Sequence, residues 1–162
     1  MKKLKDSVDD FFKWVKGTEL VELDDIDVSE DPVRPELTLG FRIQQGRKIF
    51  GLKYNEEIEA IVCVAMCPEV PYTVREMDYM SQAANQDGQR GEILVAYTVW
   101  SRKRGAGKEI INKLGEWADE QNFGRLVTLS PLTPMATHFH IRNGAKQIHI
   151  NEETQNFEYN LK

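Results

Sequence analysis

The sequence predicts an α/β fold on a mixed sheet, and three observations carry that expectation. Alternating or unbroken apolar runs recur through residues 37–66, the pattern of an antiparallel meander. Val95–Leu114, VAYTVWSRKRGAGKEIINKL, changes from strand to helix periodicity across a short basic loop that holds two glycines. A second strand–helix–strand pattern follows between Arg125 and Ile150.

The first element is an amphipathic helix marked by Leu4, Val8, Phe11, Phe12 and Val15 and ended by Gly17. Glu19–Asp31 is strongly acidic and reads as a solvated connector with Val21, Leu23 and Ile26 tucked in. Its acids lack the spacing and glycine turn of a calcium loop. Leu37, Leu39, Phe41 and Ile43 then alternate as a first strand, with a turn at Gln45-Gly46. Ile49–Tyr54 is a second strand, Asn55-Glu56-Glu57 turns, and Ile58–Met66 is a third. That third strand is apolar on both faces and therefore central.

Pro68 ends it. The connection through residues 69–91 is long for a compact domain, which marks it as an insertion near an acceptor site. Val74–Ala84 reads as a helix within it, whose aromatic and Met residues either line a pocket or cap the core. Glu92–Trp100 is a fourth strand. In the helix after the loop, Ile110, Ile111, Leu114, Trp117 and Ala118 share a face, and Asn122-Phe123-Gly124 closes it. Arg125–Leu129 is a fifth strand. Thr133 and Pro134 are the N-cap and first residue of another helix, which stops at Asn143-Gly144. Lys146–Ile150 and Asn156–Leu161 are two final strands.

At 162 residues the chain suffices for one domain, 1–162, and is short for two. A hydrophobic fraction of 41% and a charged fraction of 29% are those of a globular protein. A net charge of −5 argues against nucleic acid as the partner, because phosphate backbones call for basic surfaces. No apolar run approaches the roughly 20 residues of a membrane span, so no membrane partner is expected. The N-terminal lysines precede acids rather than an apolar core, unlike a signal peptide. Cys63 and Cys67 sit in an apolar run with no second Cys pair or nearby His, so neither a disulfide framework nor a metal is expected. The expected location is cytoplasmic.

The loop of Val95–Leu114 carries the chemistry. Arg102, Lys103 and Arg104 precede Gly105-Ala106-Gly107 at a helix start, where free N–H groups and the helix dipole favour an anion. A Walker A loop is excluded, since Arg102 stands where its first glycine belongs and Glu109 where Ser or Thr must follow Gly107-Lys108. A dinucleotide GxGxxG is excluded at its third glycine, where Ile110 stands. A plain glycine-containing βα turn remains as the alternative for the loop alone.

Arg102–Gly107 resembles the Q/R-x-x-G-x-G/A pattern of the GNAT superfamily of N-acetyltransferases, and the surrounding order of elements agrees along Leu37–Leu161. A second motif of that family, roughly N-x-x-A-x-x-L-Y-x-x-x-G-F, resembles TPMATHFHIRNGA. Thr133 stands at its Asn, Ala136 matches, Phe139 takes the Leu position, His140 the Tyr position, and Gly144-Ala145 the Gly-Phe. The resemblance implies a mixed, mostly antiparallel sheet with splayed fourth and fifth strands and flanking helices.

It also implies direct transfer of an acetyl group from acetyl-CoA, as co-substrate, to a primary amine in a ternary complex. The amine belongs to a small molecule or a protein. A homodimer is compatible with it. On this chain Val99 and Trp100 would meet the pantetheine arm. Arg102, Lys103, Arg104, Gly105, Ala106, Gly107 and Lys108 would hold the pyrophosphate, and Thr133 belongs to the same binding set. Glu92, ten residues before Arg102, is the expected general base. His140 stands in for a Tyr acid. With an ordinary pKa of about 6.5 it is an acid, a base or only a group that orders the thiol sulfur. A catalytically silent acyl-CoA-binding module is the other reading of the same residues.

Overall fold

β3 (Glu57–Cys67) is covered on both faces: every residue from Ala60 to Ala65 is fully buried. The computed structural model describes residues 17–162, and the helix read over Leu4–Val15 lies outside the described residues. β3 pairs antiparallel with β2 (Arg47–Tyr54) through a two-residue turn whose Asn55 and Glu56 both take left-handed φ angles, 49° and 67°. On its other side β3 pairs antiparallel with β4 (Ile93–Ser101). β4 runs parallel to β5 (Arg125–Thr128), the strands being joined by α3 (Ala106–Glu120). β6 (Ser130–Pro131), α4 (Pro134–Arg142), β7 (Lys146–Ile150) and β8 (Thr154–Tyr159) follow. With β1 (Glu19–Leu23) at one edge, the described residues thus form one sheet of order β1-β2-β3-β4-β5-β8-β6, with β7 paired to β8.

Two apolar layers cover this sheet. Ile110, Ile111, Leu114 and Ala118 of α3 pack with Phe50, Val62, Val64, Leu94 and Phe157 on one face. Ile49, Ile61, Cys63, Val95, Tyr97 and Val127 form the other, beneath α1 (Leu39–Arg42) and α2 (Val74–Ala84), which contributes Met77. α2 has the bounds expected from sequence, with Thr73 as its cap: Oγ1 accepts from Glu76 N at 3.0 Å. Cys63 and Cys67 are buried free thiols on one face of β3. No helix among the described residues is long and apolar enough to cross a membrane.

The first strand lies elsewhere than expected. Leu37–Ile43 is a turn leading into α1, and the edge strand β1 is Glu19–Leu23, inside the segment read as a connector. Two side chains decide this. Thr38 Oγ1 accepts from Phe41 N at 3.1 Å and caps the short helix. Arg42 is fully buried and donates to Asp31 Oδ2, Arg34 O and Leu37 O, acceptors that only a chain folded back on itself can offer. Leu37, Leu39 and Phe41 still reach the sheet. A period of two records which residues are buried, but not by which backbone. Asp31 is likewise no part of a solvated connector: it is 1% exposed and forms an ion pair with Arg42 at 2.7 Å.

The candidate acyl-CoA site

β4 and β5 are neighbours only as far as Ala96 and Thr128. Just beyond, β4 carries a bulge: Cys63 faces Thr98 and Val64 faces Ala96, so Tyr97 is an extra residue on β4. The bulge turns both Tyr97 and Thr98 toward α1, while Val99 lies on the α3 side. β5 is drawn the other way. Asn156 of β8, fully buried, donates from Nδ2 to Thr128 O and Pro71 O at 2.9 Å each, and Thr128 Oγ1 accepts from Phe157 N at 3.1 Å. β6 then pairs with β8 instead of β4. The strands diverge around a cleft of about 570 Å³ lined by Ala96–Ser101 on one side and by Ser130, Pro131, Thr133, Ala136, Phe139 and His140 on the other.

The glycine loop closes the wide end. Gly105 caps α3 with φ 82°, a left-handed conformation that a side chain would strain, although space around it is open. Gly107 is tight for another reason: a Cβ there would come within 3.1 Å of the Phe139 ring, which lies across the cleft and would have to shift slightly. Gly107 and Lys108 stand in the first turn of α3, where main-chain N–H groups lack helical partners. Two of the three basic side chains point away. Arg102 donates from Nη2 and Nε to Glu30 Oε2 at 2.7 and 3.1 Å, and Lys103 approaches Glu57 and Glu59 at 3.4 and 3.5 Å. Arg104 and Lys108 are exposed and make no ion pair among the described residues.

On α4, Thr133 Oγ1 accepts from Ala136 N at 3.2 Å and caps the helix, a task Asn also performs. His140 is 5% exposed, stacked on Phe157 at 5.1 Å, with Nδ1 2.7 Å from Tyr159 Oη. Burial lowers its pKa from 6.5 to about 4, and burial raises that of Tyr159 above its ordinary value. The ring is therefore neutral at neutral pH. With the tyrosine proton donated to Nδ1, Nε2 carries the remaining proton.

Of the residues expected from sequence, Val99, Trp100, Gly107, Thr133 and His140 line one cleft, and Arg102–Ala106 with Lys108 border its wide end. Glu92 does not join them. It lies exposed beyond the N-terminal end of β4, 3.6 Å from Arg90, whereas the cleft opens from Ala96 onward. Residues 69–91 contribute no cleft lining. Their role is to pack α2 on the sheet and to offer Pro71 O to Asn156. Sequence reasoning missed Asp31, Arg34, Asn156 and Tyr159. Only Tyr159 carried a signal, as an apolar-face member of the last strand.

A parallel β4/β5 pair that splits at a bulge, with a glycine-capped helix at its mouth, is decisive for architecture. The chain has the GNAT fold. Among solved structures it is similar to a Bacillus subtilis acetyltransferase in complex with CoA, with TM-score 0.60, 9% identity, and coverage of 90% of this chain and 98% of that one. It is similar also to a GNAT-family acetyltransferase of Staphylococcus aureus, with TM-score 0.55, 13% identity and coverage of 90% and 100%. The GNAT domain of S. lividans PAT gives TM-score 0.57, 12% identity and 89% coverage of each chain. No family model matches the sequence, and no curated protein does. At such identities the likeness is one of GNAT fold.

Proposed function

We propose that the protein is an N-acetyltransferase that moves the acetyl group of acetyl-CoA directly to a primary amine. The observation that carries this reading is the β4/β5 cleft ending at the Gly105 cap of α3. A pyrophosphate at the Gly107 and Lys108 amides, flanked by Arg104 and Lys108, would leave the pantetheine arm to run back along Ser101, Trp100 and Val99. The arm is extended, and the bulge exposes an extended strand edge to pair with it. A crystal structure of a protein with this fold in complex with CoA supports CoA as the kind of ligand.

His140, neutral and fixed by Tyr159, donates an Nε2 hydrogen bond toward the reacting end. It orders the thioester rather than moving a proton. No Asp or Glu lines the cleft among the described residues, so the amine loses its proton to water rather than to a side chain of the cleft. Glu92 is given no part in the transfer on this reading. The amine would enter on the side of the fork lined by Pro32 and Val33.

The test is binding followed by turnover. Acetyl-CoA at about a hundred times its Kd should stabilise the fold by about 3 kcal/mol, read as a raised Tm. Thiol release with a panel of small amines and lysine peptides then reports transfer. A raised Tm with no thiol release from any acceptor would favour the second reading, a silent acyl-CoA-binding module. The position of Glu92 far from the cleft is the observation in its favour. No rise in Tm would remove both.

A further inference from the structure

Thr98, Ser130 and His140 are buried polar residues of the cleft wall, and two of them have their protons placed. Thr98 Oγ1 donates to Asp31 Oδ1 at 2.8 Å, on the α1 side of β4. His140 meets the Tyr159 hydroxyl at Nδ1 and keeps its one proton on Nε2. Ser130, 4% exposed, is the third. Tyr97 Oη and Trp100 Nε1 are sealed from solvent, and so from the open cleft.

Proton accounting orients Ser130. Its Oγ lies 2.8 Å from Thr128 Oγ1, and either oxygen is placed to donate. Thr128 is fully buried, and its Oγ1 already accepts from Phe157 N at 3.1 Å. Among the described residues, Ser130 Oγ is the partner that can take the Thr128 proton. Donation the other way would leave that proton unpaired in a dry site, whereas the Ser130 proton has a cleft where water or a ligand accepts it. Thr128 therefore donates, and the Ser130 hydroxyl keeps its own proton for the cleft.

The position of this hydroxyl is fixed as well. Leu126 belongs to the α3 layer, and Val127 and Leu129 belong to the opposite one. Alternation sets Thr128 and Ser130 on the α3 side, with Val99, Phe139 and Phe157. Arg34 Nε and Nη2 donate to Tyr97 O and Leu129 O at 2.8 and 2.9 Å, tying the two arms of the fork at the residue before Ser130. β4 and β5 last pair at Ala96 and Thr128, so Ser130 stands on the β5 arm where the cleft begins to open.

We infer that Ser130 is a further catalytic residue, whose Oγ–H stabilises the thioester carbonyl oxygen as negative charge develops on it. The inference rests on the acyl-CoA reading above. An arm that runs back along Ser101, Trp100 and Val99 brings its thioester to the point where β4 and β5 part, beside Ser130. In the transfer the amine lone pair forms the C–N bond, and the π pair of the carbonyl moves onto oxygen. Ser130 donates a hydrogen bond to that oxygen and keeps its proton. The pair then returns to re-form the carbonyl, the C–S bond breaks with its electrons on sulfur, and the nitrogen gives its extra proton to water. A hydroxyl already oriented by Thr128 need not turn as the charge forms, which is what makes a donor in an apolar cleft effective.

The experiment has two readouts on the full-length chain. Isotope-edited infrared spectra of acetyl-CoA labelled at the carbonyl carbon, bound without acceptor, report the hydrogen bond directly. The band should lie below that of the same thioester in an aprotic solvent and move up in Ser130→Ala. Thiol release should show kcat lowered about a hundredfold in Ser130→Ala with little change in KM for acetyl-CoA, and Ser130→Thr, which keeps a hydroxyl, should recover most of it. A band at the aprotic position in the unaltered protein overturns the inference, even where Ser130→Ala does not fold. So does a band or a kcat that Ser130→Ala leaves unchanged, and where no acceptor is turned over the band decides alone. These results leave acetyl-CoA binding intact, whereas absence of any acetyl-CoA-induced rise in Tm strikes the acyl-CoA reading itself.

Discussion

His140 shows what burial does to a titratable side chain that lines a cleft. Its native pKa of about 4 lies below the 6.5 of an exposed ring, so the unfolded chain takes up a proton that the native ring refuses. Stability therefore falls as pH drops through 6.5 and stops falling below about 4. Across that window the loss amounts to about 3 kcal/mol. Urea unfolding at about pH 7 and about pH 4.5 should show a flatter pH dependence for His140→Gln than for the unaltered protein. The two loop glycines should separate equally clearly. Gly105→Ala should cost about 1 kcal/mol through its left-handed φ of 82° and little else. Gly107→Leu, pressed on the Phe139 ring and into the cleft, should weaken CoA affinity about tenfold or more by calorimetry while the Tm changes little.

At the scale of elements, α1 and the loop before it are organised by the Asp31–Arg42 pair rather than by apolar periodicity. Both side chains are fully buried. Removing one partner leaves the other charged and dry, so Asp31→Ala should destabilise by about 3–5 kcal/mol in urea unfolding. Thr38→Ala removes only the cap and should cost about 1 kcal/mol. Elements that speak through local chemistry were legible in the sequence. Thr73, Thr133 and Pro134 mark helix starts, and Gly144 (φ 94°) ends α4 with Ala145 N donated to His140 O at 2.9 Å. Leu37–Ile43 was not legible, because the acceptors for Arg42 are set by tertiary folding. β1 was hidden for a related reason. Its acids face solvent at the sheet edge, and its pairing to Gly51 and Leu52 is a long-range contact.

Across the whole molecule, acidity and a basic loop are reconciled by pairing. The net charge of −5 is not spread away from the loop: Glu30, Glu57 and Glu59 lie against Arg102 and Lys103. The exposed pairs, Arg102 with Glu30 and Lys103 with Glu57, contribute about 0–1 kcal/mol each, and their larger effect is to dilute the field at the mouth of the cleft. Glu30→Gln should therefore tighten CoA binding about twofold at low salt, with the gain fading as salt is raised. Calorimetry at two ionic strengths checks both.

The sequence by itself determined the α/β order from β2 onward except for the two-residue β6, the central β3, the helix bounds around α2 and α4, and the glycine cap where an anion can sit. Those features follow from local periodicity, caps and backbone conformation, which a few neighbouring residues settle. Tertiary structure alone decided that β4 and β5 part at Tyr97, that Asn156 holds them apart, and that Arg34 bridges the fork. It also decided that Glu92 stands away from the cleft and that His140 is dry. Each depends on which distant groups bury or satisfy a polar atom, and separation along the chain carries no record of that.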